Sequence, residues 1–89
     1  MKMSDLDFLH AVRSLNDQGA SLAGIEALEN QLTYFFLLQG RTERLQLEAV
    51  DQSAPSLIQI YGTADPIERF LHRQYGLKFV GNPNLGLGL

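Results

Sequence analysis

Few residues in this chain have the chemistry to act on a substrate. There are two histidines, His10 and His72, and no cysteine. Without cysteine, a disulfide scaffold and any thiolate site are excluded. A zinc site wants several ligands at short spacing. There is no His-x-x-x-His pair, and a single carboxylate such as Glu68, four residues before His72, falls short of a ligand set, so both read as ordinary surface or boundary side chains. No serine, threonine or lysine sits beside a base at a spacing recognisable for nucleophilic catalysis. The Gly86-Leu87-Gly88-Leu89 stretch lacks the Gly-x-x-x-x-Gly-Lys pattern of a phosphate loop. Gly62-Thr63 precedes a helix start that could hold an anion, but Asp65 is expected to occupy those amides itself. No catalytic, metal-binding or cofactor-binding residue emerges, and the chain reads as non-enzymatic and without a cofactor.

Two groups of residues could bind rather than react. Arg69, His72, Arg73 and Lys78 form a small cationic cluster, with Glu68 four residues before His72 and Arg69 four before Arg73. On a helix these would share an exposed face. Such a ridge could meet phosphate or an acidic protein. It is more simply what a solvated face looks like when its cations sit near the negative end of the helix dipole. Three full cations are few for a nucleic-acid surface, and the chain as a whole carries −3, so nucleic acid is not an expected partner. The second group is Leu85, Leu87 and Leu89, alternating with glycine after Pro83. That segment could add as an edge strand to its own sheet, to a second copy or to another protein. It could also be a loose terminus.

The elements that must position these groups follow from an ordinary globular composition. The 89 residues are 45% hydrophobic and 19% charged, enough for one domain and too apolar for disorder. Residues 1–82 are expected to form it, with 83–89 as a Gly/Leu tail. Residues 1–30 carry a net −3, residues 31–65 a net −2, and residues 66–89 a net +2. No apolar run of signal-peptide or membrane-spanning length is present. A cytoplasmic location with no membrane contact is the resulting expectation.

Leu32–Leu38 is the most apolar stretch, free of charge, glycine and proline. Its β-branched and aromatic residues favour a strand at 31–38, although the spacing of Leu22, Ile25, Leu28, Leu32, Phe35 and Phe36 leaves a single long helix open. Ser4 predicts the cap of a first helix over Asp5–Asp17, and Gly19 its stop. Leu22, Ile25 and Leu28 predict a second helix from Ser21 to about Glu29. After a turn at Gln39-Gly40-Arg41-Thr42, the alternation of Leu45, Leu47 and Ala49 predicts a strand at Glu43–Val50. Arg41, Glu43 and Arg44 beside that turn read as charges protecting a sheet edge. Leu57–Tyr61 predicts a third strand. Asp65-Pro66, with Glu68 three residues on, predicts the cap and start of the last helix. Its buried side is read as Ile67, Phe70, Leu71 and Tyr75, leaving Glu68 outside, and Leu77–Val80 predicts a final strand. The sum is an α+β domain: two N-terminal helices, a small mostly antiparallel sheet made of a three-strand meander plus a short C-terminal strand, and one helix between the last two strands.

The functional expectation is a small non-catalytic module that binds another protein or a second copy of itself, as an adaptor, assembly factor or inhibitor, with a homodimer permitted by a free sheet edge. Arg69, His72, Arg73, Lys78, Leu85, Leu87 and Leu89 are the candidate contact residues. The alternatives are a nucleic-acid-associated regulator using the cationic cluster, and a small enzyme or ligand-binding domain.

Overall fold

The longest apolar run becomes the middle strand of a sheet. The computed structural model describes residues 3–86. In chain order it holds α1 (Asp5–Asp17), β1 (Ser21–Leu28), β2 (Gln31–Leu38), β3 (Arg41–Glu48), a 3₁₀ turn at Val50–Gln52, β4 (Ser53–Pro55), α2 (Ala64–Tyr75) and β5 (Lys78–Val80). β1, β2 and β3 form an antiparallel meander, and β4 and β5 a separate parallel pair. The α+β class is as the sequence predicts.

α1 starts and stops where its capping residues dictate. The Ser4 hydroxyl accepts from the Asp7 amide at 3.1 Å. At the other end Gly19 takes a φ of 90°, and the Ala20 amide turns back to the Leu15 carbonyl at 2.9 Å.

The second N-terminal helix is not there. Ser21–Leu28 is a strand. Leu22 lies opposite Phe36 and Ile25 opposite Tyr34, with a register slip between Leu22 and Gly24. Ala23 is therefore an extra, bulged residue, and it brings two side chains three positions apart onto one face. A bulged strand thus copies the spacing of a helix. Leu28 gives the difference away: it faces the other side and is 73% exposed.

β2 and β3 are joined by two residues. Gln39 and Gly40 both have positive φ, 52° and 77°, as the tightest hairpin turns require. Leu38 then pairs with Arg41, and β3 begins there rather than at Glu43. The predicted strand at Leu57–Tyr61 is a turn instead. The Leu57 carbonyl accepts from the Ile60 amide at 2.9 Å and the Tyr61 amide at 2.7 Å. The third strand of the meander is thus β1, not this segment.

One face of the meander carries the core. Leu32, Tyr34, Phe36 and Leu38 alternate inward along β2 and are buried, and Leu47 joins them from β3. Each such side chain contributes about 1.5–3 kcal/mol by leaving water. The Phe8 ring of α1 sits 4.7 Å from the Tyr34 ring, and the Tyr61 ring 5.9 Å from that of Phe36. The Tyr61 hydroxyl donates to the Ala20 carbonyl at 2.8 Å, tying the end of α1 to the turn before α2. α2 lies against β1 and supplies Ala64 and Leu71 to the same core.

The Tyr34 hydroxyl is buried and has no hydrogen-bond partner among the described residues. Burial, helped by the Glu68 and Asp5 carboxylates, pushes its pKa above the usual phenol range. The fold therefore holds the neutral phenol, whereas the unfolded chain ionises near pH 10. Stability should be independent of this group below about pH 10 and fall as pH rises above it. Tyr34→Phe is expected to stabilise the protein by about 1 kcal/mol at pH 7, by removing an unpartnered hydroxyl. It should also reduce the loss of stability at pH 11. Tyr61, raised by burial and by Asp17, would keep part of that loss. Urea unfolding of both proteins at the two pH values checks this.

Candidate partner-binding site

α2 is turned about its axis relative to the expected face. Ala64, Glu68 and Leu71 point inward, while Phe70 and Tyr75 are 50% and 55% exposed. The reason is Glu68, which sequence pattern assigns to solvent and the structure buries completely. Its carboxylate takes a proton donor from each of three places. The Ser56 hydroxyl donates at 2.6 Å, the Leu57 amide at 2.8 Å and the Asn82 side-chain amide at 2.9 Å. A buried carboxylate is tolerated only when its oxygens are satisfied in this way.

Asp65 belongs to the same network instead of capping the helix. The residue before α2 is Thr63, whose side chain makes no cap. The Asp65 carboxylate accepts from the Asn82 and Asn84 side-chain amides at 3.2 and 3.3 Å, and faces the Arg69 guanidinium at 3.4 Å. Asn82 in turn accepts from the Asn84 amide at 2.8 Å. The network fastens the 56–57 loop and the 82–84 turn to one side of α2.

The predicted contact residues therefore separate. Arg69 is half-buried and engaged with Asp65, its Nε buried without a partner among the described residues. His72 is half-buried too, its Nδ1 2.7 Å from the Leu77 carbonyl, which closes the helix end at Gly76. Arg73 and Lys78 are exposed. Leu85 folds back against the protein's own core. Leu87 and Leu89 lie outside the described residues. Among the described residues no group of three or more His, Cys, Asp or Glu is placed to hold a metal ion.

A second surface was not singled out by the sequence. The meander's register puts Thr33, Phe35 and Leu37 of β2 and Thr42, Arg44 and Gln46 of β3 on its outer face, where none of them is buried. The Arg44 guanidinium lies 5.6 Å from the centre of the Phe35 ring. Leu37 is 48% exposed. The signal for this face was present: once the turn is placed at Gln39-Gly40, Arg44 must fall opposite Phe35. A four-residue turn hides that pairing.

Residues 2–87 match the model of the family described as Respiratory-chain NADH dehydrogenase, 30 Kd subunit. This chain belongs to that family. A solved structure of the trypsin-resistant fragment of Nqo5 is similar in fold, with a TM-score of 0.73 and 17% sequence identity over 93% of this chain and 79% of that one. A search of curated protein sequences gave no match.

Membership of the 30 Kd subunit family corrects the functional expectation. A free-standing adaptor, assembly factor or inhibitor, the homodimer drawn from it, and the nucleic-acid regulator set beside it all give way to a respiratory-chain component. The expectation of partnership with other protein chains stands in its general form. Among the described residues no helix is long and apolar enough to cross a membrane.

The Glu68 network generates a quantitative expectation. Glu68→Ala takes the acceptor from the buried Leu57 amide and the part-buried Ser56 hydroxyl, and one of two acceptors from the Asn82 side-chain amide, and should destabilise the fold by about 3–5 kcal/mol. Asn82→Ala should cost about 1–2 kcal/mol. A double-mutant cycle between the two should give a coupling of about 1–3 kcal/mol, because the bond between them has a charged acceptor. Chemical denaturation of the single and double variants measures it, and a coupling near zero would show that the network does not act as a unit.

Proposed function

We propose that this chain is a non-catalytic subunit of an NADH dehydrogenase complex of the respiratory-chain type, held to neighbouring subunits on the cytoplasmic side. The observation that carries this reading is the family match across residues 2–87. Two features of the chain support a binding role rather than a redox one. It has no cysteine, so it can offer no thiolate to an iron–sulfur cluster. Its described residues place no group of metal ligands together. Exposed Arg73 and Lys78, in the only net-positive third of the sequence, offer a subsidiary contact for an acidic surface.

The test is to tag the chain in its host, solubilise the membranes in mild detergent and separate complexes by native electrophoresis. The tag is expected to migrate with a large species that oxidises NADH in the gel. Deleting the chain should reduce the amount of that species. Migration of the chain at its own 9.9 kDa, with the NADH-oxidising species unchanged on deletion, would overturn the proposal.

A further inference from the structure

We infer that the outer face of the β1–β2–β3 meander is the docking surface for another subunit, one that presents a carboxylate to Arg44 and apolar side chains to Phe35 and Leu37. The inference deepens the subunit reading, from which it takes only that the partner is a protein of different sequence. The face itself follows from the sheet. β2 carries apolar groups on both sides, and the helices and loops of this chain bury only Leu32, Tyr34, Phe36 and Leu38. On the other side Phe35 is half-buried and Leu37 exposed.

Charge decides the kind of partner. Arg41 pairs with Glu43 at 4.0 Å and Arg69 with Asp65, whereas Arg44 has no carboxylate partner among the described residues. Its neighbours along β3 on this face are the neutral Thr42 and Gln46, and Thr33 lies one pair further along β2; the carboxylates that the register places on the same face, Glu26 of β1 opposite Thr33 and Glu48 of β3 opposite Gln31, lie beyond these. Stacking on Phe35 holds the guanidinium over the ring with its donors available. A pre-organised arginine is a residue type enriched at interface centres, and the ring beneath it and the exposed Leu37 add apolar area beside it. The fork geometry of arginine suits a carboxylate, which it can grip through two parallel hydrogen bonds.

Arg44→Lys turns this into a chemical test. A carbodiimide joins an amine to a carboxylate it already touches, so the new amine at position 44 should become bonded to an aspartate or glutamate of the partner. The tagged variant is treated in solubilised host membranes and the linked peptides are sequenced by mass spectrometry. The expected product joins position 44 to an acidic residue of a different chain, with a yield that falls roughly ten-fold or more when Leu37→Asp is added. Arg44→Glu should lower recovery of the chain in the complex to a similar extent, with its urea midpoint unchanged. A bond to a second copy of this chain would overturn the inference. So would the lack of any intermolecular bond at position 44 while the chain still migrates with NADH oxidation, a result that leaves the subunit reading standing. A bond to an acidic residue of a foreign chain, with no NADH-oxidising species present, would support the docking face and overturn the subunit reading.

Discussion

A carboxylate sealed inside a protein must have its oxygens satisfied, and Glu68 meets that demand without a cation. Its donors come from Ser56, Leu57 and Asn82, which lie 12, 11 and 14 residues away along the chain. Those separations make it the point where the loop before α2 and the turn after β5 are fixed to the helix between them. The rotation of α2 follows. With Glu68 inward, Leu71 reaches the core, and Phe70 and Tyr75 are left outside. The anchor adds to what holds the short β4–β5 pair, whose three-residue strands supply few ladder bonds of their own and are otherwise held by the burial of Ala54 and Phe79 in the core.

Much of the fold can be read from residue types. The first helix, the strand at 31–38, the hairpin after it and the last helix all come from caps, turn residues and alternation, which act locally. The misreadings share a different origin. The bulge at Ala23 converts strand periodicity into helix spacing, and nothing in the local sequence distinguishes the two. Leu57–Tyr61 has strand-favouring residues, yet it closes into a turn because the Leu57 amide is claimed by Glu68. The general behaviour of carboxylates assigns Glu68 to solvent and Asp65 to a cap. Their real roles depend on Asn82 and Asn84, which only the tertiary fold brings near.

The candidate site was less legible than the fold. Three cations and a histidine in the C-terminal third look like one ridge in the sequence, but Arg69 and His72 are spent on internal contacts. The outer sheet face, by contrast, is assembled from residues on two strands that look unremarkable separately. On the docking inferred above, this face completes its burial against another chain rather than within its own.

The bulge in β1 has an effect on solubility as well as on shape. β1 and β3 are the edges of the meander, and an open edge invites another strand to pair with it. A bulge interrupts the regular row of amides and carbonyls that such pairing needs, and increases the local twist. The opposite edge carries Arg41, Glu43, Arg44 and Glu48 along its length. The sheet is thus guarded against runaway growth strand by strand, while its broad side stays open. Pairing along the edges is thus discouraged by means that leave the outer face of the sheet unchanged.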